Sequence, residues 1–205
     1  MAQLYYRYSS MNAGKSIELI KIAHNYEEQG KRVLLMNSYL DTRYGKNVVA
    51  SRIGIKKEAI SYDGTTSILD VLNDAMKESD DPIHCILIDE GQFLTEKQVM
   101  ELAQIVDYMN IPVIVYGLKN DFSNHLFEGS QALLIYADKI EEIKTVCWFC
   151  DKKATMVLRV IDGKPVYDGE QVMIGGNDSY IPVCRKCYGN PNLESLSEKH
   201  SPQEQ

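Results

Sequence analysis

The stretch Ser9-Ser10-Met11-Asn12-Ala13-Gly14-Lys15-Ser16 constrains this chain more than any other. An apolar run, Leu4 to Tyr8, leads into it, and a helical pattern runs from it to Gln29. The P-loop pattern asks for Gly, four residues and then Gly-Lys-Ser/Thr between a strand and a helix. Gly14-Lys15-Ser16 satisfies its second half, while Ser9 stands where the first glycine belongs. If that position required a left-handed backbone, serine there would cost about 1–2 kcal/mol. Backbone N–H groups of such a loop, with the helix start behind them, cradle phosphate oxygens. Lys15 then meets the β- and γ-phosphates, and the Ser16 hydroxyl binds Mg²⁺. The same octet also describes a plain strand–turn–helix junction with Gly14 as its turn residue.

A chain of 205 residues is long enough for one domain with a real core, or for one domain and an appendage. With 44% apolar and 25% charged residues it has ordinary globular composition. No apolar stretch is long enough to span a bilayer, and the N-terminus lacks a signal-peptide pattern, so a cytoplasmic location is the default. The net charge of −7 argues against a nucleic-acid partner. Five cysteines in such a chain are expected as metal ligands or reduced thiols rather than disulfides.

Taken in order, residues 3–8 read as a strand. Leu19, Ile22, Ala23 and Tyr26 then form one helical stripe, and Gly30 stops the helix. Val33-Leu34-Leu35-Met36 reads as a strand buried on both faces, so strand, helix and strand make a βαβ unit with a parallel pair. Residues 38–58, with Lys46, Arg52, Lys56 and Lys57, read as a mobile loop near the phosphates or a solvated surface excursion. Ser67 to Lys77 reads as a helix ended by Asp80-Asp81-Pro82. Cys85-Ile86-Leu87-Ile88-Asp89-Glu90 is a buried strand ending in carboxylates, the Walker B pattern, whose Asp serves Mg²⁺. Asp89 can organise the metal while Glu90 faces an acceptor hydroxyl.

Thr95-Glu96-Lys97-Gln98 is a capping box, opening a helix whose inner face is Val99, Leu102, Ala103 and Val106. Ile111 to Tyr116 reads as a strand with Pro112 at its start. Gly117 to Gly129 reads as a loop whose aromatics, Phe122 and Phe127, either stack on a flat ligand ring or make the loop's own small core. A short helix over 130–137 and a last strand over 140–145 complete the sheet.

Cys147-Trp-Phe-Cys150 and Cys184-Arg-Lys-Cys187 are two close pairs, suited to a tetrahedral four-thiolate Zn²⁺ site. Four ligands leave no open position, so the site reads as structural. Redox pairs or free thiols are the other reading of the same cysteines. Between the pairs, Asp162-Gly163 signals a hairpin, and the clamped segment suits a substrate lid. Residues 189–205 read as a disordered polar tail.

These features together resemble the type II, zinc-containing thymidine kinases. The resemblance rests on Ser9–Ser16, Asp41-Thr-Arg-Tyr44, Ile88-Asp-Glu-Gly-Gln-Phe93, Gly117-Leu-Lys-Asn-Asp-Phe122, the two cysteine pairs, and Ile174-Gly-Gly-Asn177 with Tyr180. It implies a P-loop, RecA-like α/β domain over 1–145, with a mostly parallel sheet and helices on both faces. A zinc-ribbon-like domain would follow over 146–188, with a substrate lasso over about 163–180.

The implied activity is ATP-dependent phosphorylation of thymidine, and of deoxyuridine, at the 5′-hydroxyl, in pyrimidine deoxynucleotide salvage. The implied general base is Glu90. The ATP side would comprise Ser9, Ser10, Met11, Asn12, Ala13, Gly14, Lys15, Ser16, Asp89, Gly91, Gln92 and Arg43, with Ser16 and Asp89 serving Mg²⁺. The nucleoside side would comprise Met11, Phe93, Leu118, Phe122, Phe127, Val172, Ile174, Gly175, Gly176 and Tyr180. A structural Zn²⁺ on Cys147, Cys150, Cys184 and Cys187, a homotetramer and feedback inhibition by dTTP are further implications. Two rivals to this resemblance are a RecA-like P-loop ATPase whose zinc ribbon acts on nucleic acid, and a non-enzymatic zinc-ribbon adaptor with a vestigial P-loop.

Overall fold

The computed structural model describes residues 1–41, 45, 47–171 and 179–193. The chain divides into two compact units. One comprises Met1–Tyr8, Gly14–Lys119 and Leu126–Ile143; the other comprises Ser9–Ala13, Asn120–His125 and the chain from Lys144 onward.

The first unit begins with β1 (Leu4–Ser9), α1 (Lys15–Glu28) and β2 (Arg32–Ser38). β3 (Val48–Ala50), β4 (Lys56–Glu58), β5 (Ile60–Tyr62), α2 (Ile68–Lys77) and β6 (Ile83–Ile88) follow. A 3-10 turn (Gly91–Phe93), α3 (Glu96–Met109), β7 (Val113–Leu118), α4 (Glu128–Tyr136) and β8 (Lys139–Glu142) complete it. Six strands form one sheet in the order β5-β2-β6-β7-β1-β8. β2 runs parallel to both β5 and β6, β6 to β7, and β1 to β8.

The expected α/β class with a mostly parallel sheet holds. The expected pairing of β1 with β2 does not, because β6 and β7 lie between them. A crossover helix sets the direction of the strand it reaches, not its neighbour. Residues 38–58 also differ from a plain loop. β3 and β4 pair antiparallel, Val49 opposite Lys57, in a two-stranded hairpin. Strand β4 is polar, so its sequence carries no apolar alternation to reveal it.

Strand residues alternate between two cores. Ile86 and Ile88 join Leu34, Met36, Val113 and Val115 on the face covered by α2, α3 and α4. Cys85 and Leu87 join Leu35 and Tyr116 on the face where α1 lays Leu19 and Ala23. Both faces are buried, which explains why these strands read as unbroken apolar runs. Each fully buried aliphatic side chain contributes roughly 1.5–3 kcal/mol of transfer free energy.

Local signals set the helix ends. Ser67 caps α2 by accepting from the Asp70 N–H. Thr95 and Gln98 make the expected reciprocal capping box of α3. Glu101, buried on α3, accepts from the Ile68 N–H at 2.6 Å, so one helix also satisfies the free donors that open its neighbour.

In the second unit, β9 (Met156–Ile161) is flanked by β10 (Lys164–Val166) and β11 (Ser179–Val183), both antiparallel to it. Asp162 and Gly163 form the expected hairpin turn, with φ of 48° and 73°. Both values are positive, as a type I′ turn requires. A short helix, α5 (Arg185–Gly189), ends the described core.

Candidate active site

The loop after β1 takes its left-handed residues at Asn12 and Gly14, with φ of 61° and 81°; Ser9 is the last residue of the strand. Serine in place of the first glycine therefore carries no left-handed strain. Asn is the non-glycine residue that tolerates this conformation best. Within the second unit's share of the loop, the Ser9 hydroxyl donates to the Ser10 carbonyl at 2.6 Å. Gly14 serves as the N-cap of α1, and its carbonyl accepts the Glu18 N–H at 3.1 Å. Gly14 brings no side-chain cap of its own, and the first N–H groups of the helix, with the dipole behind them, suit an anion.

Lys15 and Ser16 open α1, and Lys15 is only 9% exposed. The Ser16 hydroxyl donates to the Asp89 carboxylate at 2.6 Å. Asp89 lies one residue past the end of β6, fully enclosed. Burial, then the neighbouring Glu90 charge, raises its pKa from 3.8 to about 6, with Ser16 and Lys15 pulling it back. The buried carboxylate and the serine hydroxyl are oxygen donors suited to Mg²⁺, which keeps its waters and takes one or two protein ligands.

Glu90 follows in the left-handed region, with φ of 54°. For a glutamate this costs about 1–3 kcal/mol, so its surroundings must hold it there. Tyr62, at the end of β5, does so from below. Its hydroxyl donates to the Glu90 carbonyl at 2.8 Å and to the Asp89 carbonyl at 3.2 Å. Burial, with the Glu90 and Asp89 charges, raises the phenol's pKa well above its ordinary value and keeps it a donor. The Glu90 side chain accepts a short hydrogen bond from Gln92 Nε2, and the Leu118 N–H donates to Gln92 Oε1 at 3.0 Å.

The turn carrying these residues packs tightly on β7 and α4. A Cβ on Gly91 would lie 2.1 Å from a Val115 methyl, and one on Gly129 would lie 2.5 Å from the Gly91 carbonyl oxygen. Gln92, expected on the phosphate side, here accepts from the Leu118 N–H. Phe93 and Phe127 meet edge to face, with centroids 5.9 Å apart. The Leu118 carbonyl accepts from the Tyr6 and Ser130 hydroxyls at 2.8 and 2.6 Å.

Within the second unit, Phe122 sits 1% exposed with its ring edge-on to Tyr180, centroids 6.2 Å apart. The Arg159 guanidinium lies 5.0 Å from the Phe122 centroid and 5.8 Å from that of Tyr180. Phe122 and Phe127 are both buried, and each meets residues outside its own loop: Phe122 meets Tyr180 and Arg159, and Phe127 meets Phe93. Tyr188 donates to the Phe122 carbonyl at 2.6 Å, and Gln171 to the Asp121 carboxylate at 2.8 Å. Sequence reasoning missed Arg159 and Tyr62. A lone arginine inside Met156–Ile161 was a visible signal, whereas Tyr62 had none. Arg43, Val172, Ile174, Gly175 and Gly176 lie outside the described residues, as do the rest of lasso residues 172–178 and residues 194–205.

The four cysteines do converge. All four sulfurs lie within 4.8 Å of one another. Sγ of Cys150 is 3.7 Å from that of Cys184 and 3.8 Å from that of Cys187. Tetrahedral zinc, with Zn–S near 2.3 Å, needs sulfur separations of about 3.8 Å, so the donor set fits that ion. The Cys187 N–H, foremost among several hydrogen bonds, lowers the Cys184 thiol to about 7, partway to the thiolate a metal requires. Among the described residues no helix is long and apolar enough to cross a membrane.

A P-loop helix hydrogen-bonded to a strand-end carboxylate in a parallel sheet defines a P-loop nucleotide-binding protein, which also carries four converging cysteines that could hold a metal ion. The family model described as thymidine kinase matches residues 2–188, and the chain belongs to that family. It is 61% identical to the thymidine kinase of Lactococcus lactis over 94% of this chain and all of that one. It is 58% identical to the thymidine kinase of Listeria monocytogenes over 95% of this chain, and 56% identical to that of Streptococcus pyogenes over 94%, again covering each relative in full.

Proposed function

We propose that this chain transfers the γ-phosphoryl group of ATP to the 5′-hydroxyl of thymidine, and of deoxyuridine, within pyrimidine deoxynucleotide salvage in the cytoplasm. Its membership of the thymidine kinase family carries this reading, and the joining of Ser16 to Asp89 beside Glu90 supports it. The ATP side is Ser9–Ser16 with Asp89 and Arg43. The nucleoside side is Met11, Phe93, Leu118, Phe122, Phe127 and Tyr180 with Val172, Ile174, Gly175 and Gly176. Residues 1–145 form the ATP-binding domain, and 146–188 form the zinc domain with its lasso. The assembly is a homotetramer, and dTTP inhibits it as the end product.

In the reaction, the acceptor oxygen attacks the γ-phosphorus while the bond to the β–γ bridging oxygen breaks, releasing ADP. Glu90 takes the hydroxyl proton onto a carboxylate oxygen. The phosphoryl transition state is loose, so positioning and charge carry most of the acceleration. Lys15 and the first N–H groups of α1 neutralise and orient the phosphates. Ser16 and Asp89 would hold Mg²⁺, which when bound adds positive charge at the β- and γ-oxygens. Cys147, Cys150, Cys184 and Cys187 would hold Zn²⁺ as a structural clamp. Nothing favours the nucleic-acid ATPase or the adaptor: the charge of −7 opposes the first, and the engaged Ser16–Asp89 pair opposes the second.

The test is an ATP-consumption assay against a panel of nucleosides, with zinc measured on the same sample. Thymidine should be turned over fastest and zinc should be near one per chain. Base catalysis supplies roughly 10²–10⁴-fold, so Glu90→Gln should lose that much turnover with thymidine still bound. Hydrolysis stimulated by DNA and indifferent to nucleoside would refute the reading.

A further inference from the structure

Gln92 is 2% exposed, and its amide has one available orientation. Leu118 offers an N–H at 3.0 Å, so Oε1 faces Leu118; Nε2 therefore faces the Glu90 carboxylate, to which it donates. Gly117 makes room for this, since a Cβ there would come within 3.0 Å of Gln92 Oε1. Each end of the amide thereby has a protein partner.

Glu90 needs such a partner. Its backbone is left-handed and held by Tyr62. The side chain beyond has rotatable bonds that Tyr62 does not reach. A base contributes only when held within hydrogen-bond reach of the proton it takes. We infer that Gln92 is a positioning residue, which aims the Glu90 carboxylate and ties it to Leu118 at the end of β7. This rests on the reading of Glu90 as the base in the proposed function. It differs from the phosphate-side role that the resemblance implies for Gln92.

The experiment is steady-state kinetics with ATP and thymidine on Gln92→Leu, Gln92→Glu, Glu90→Gln and the Glu90→Gln/Gln92→Leu double variant. Gln92→Leu should lower kcat about 10-fold or more, with KM for ATP within about twofold of the parent, because transition-state geometry is lost and ground-state nucleotide binding is not. In the Glu90→Gln background the same change should cost nothing further, since residues acting through one another are not additive.

Gln92→Glu sets a carboxylate beside a carboxylate, and only its protonated form can donate. Its deficit should shrink as pH falls toward 6, while that of Gln92→Leu stays constant. If Gln92→Leu folds too poorly to assay, the pH dependence of Gln92→Glu decides alone. A raised KM for ATP at unchanged kcat, fully multiplicative losses in the double variant, or a pH-independent Gln92→Glu deficit would each overturn the inference. Wild-type turnover in Glu90→Gln would instead remove the underlying reading. A normal loss in Glu90→Gln with wild-type turnover in Gln92→Leu would sink this inference alone.

Discussion

The hydroxyl of Ser16 and the carboxylate of Asp89, 73 positions apart in the chain, share a 2.6 Å hydrogen bond that joins the start of α1 to the end of β6. Strand β7 lies between β6 and the strand that leads into the P-loop, so this bond spans the width of one strand. It also fixes an enclosed carboxylate whose pKa is raised to about 6.

That shift has a consequence for stability. An acid whose folded pKa lies above its unfolded value is ionised at a cost in the folded state. Below pH 3.8 Asp89 is protonated in both states and contributes nothing; the cost grows through the window from 3.8 to about 6 and is complete above it. Asp89→Asn should therefore raise the melting temperature of the ligand-free protein at pH 7.5, with the gain gone near pH 4. Turnover should collapse in the same variant. Thermal melts across pH check this, and a lower melting temperature for the variant at pH 7.5 would contradict it.

The strain at Glu90 makes a second prediction. Gly accepts the left-handed conformation without penalty, so Glu90→Gly should stabilise the fold by about 1 kcal/mol while abolishing base catalysis. A urea midpoint raised at unchanged slope would be the signature. Equal or lower stability would mean that the glutamate side chain returns more in contacts than its backbone loses.

Tyr62→Phe removes one hydroxyl that serves two buried carbonyls, those of Asp89 and Glu90. Leaving them short of a donor should cost about 1–3 kcal/mol. Since the same hydroxyl holds the turn carrying Glu90, kcat should fall more than KM for either substrate rises. A stability loss with wild-type kcat would confine Tyr62 to the fold.

Much of this architecture is legible in the sequence. The apolar run Cys85–Ile88 reads as a doubly buried strand because its residues alternate between two cores, and the carboxylates at its end mark the ligand side. Ser67 and the Thr95–Gln98 box announce their helices through local hydrogen bonds. Three features were hidden because they depend on partners distant in sequence. β1 and β2 are separated by strands that arrive some 50 to 80 residues later. Phe122 and Phe127 are buried by residues from other elements. Glu90's positive φ is held by Tyr62, which nothing near Tyr62 reveals. The β3–β4 hairpin was hidden for a different reason: Lys56–Glu58 has no apolar alternation to read.

Gly129 packs backbone to backbone against the turn that follows the candidate base. An added methyl would sit 2.5 and 2.6 Å from the carbonyl oxygens of Gly91 and Leu94, both backbone atoms that cannot rotate away. Overpacking of this kind typically costs about 1–3 kcal/mol. Gly129→Ala should therefore lower both stability and turnover. Gly163→Ala meets no neighbour, though its positive φ still penalises a side chain. It should cost about 1 kcal/mol of stability and leave turnover near that of the parent. Denaturant titration and kinetics on the pair separate crowding from backbone strain.

Thiol counting tests the metal site without reference to activity. Cys147, Cys150, Cys184 and Cys187 lie close enough to share one ion. Cys85 lies apart in β6, where burial pushes its thiol up to about 12. The thiolate is the reacting species, so Cys85 should stay inert while the sheet is folded. An aromatic disulfide reagent should find the four paired thiols slow in the zinc-loaded protein and fast once a chelator is added. The fifth should appear only in denaturant. Chelation should also weaken nucleoside binding more than ATP binding, and Cys184→Ser should reproduce that effect, since Cys184 directly follows β11, the strand that carries Tyr180. Equal weakening of both substrates would make the metal a support for the whole chain rather than for the nucleoside side.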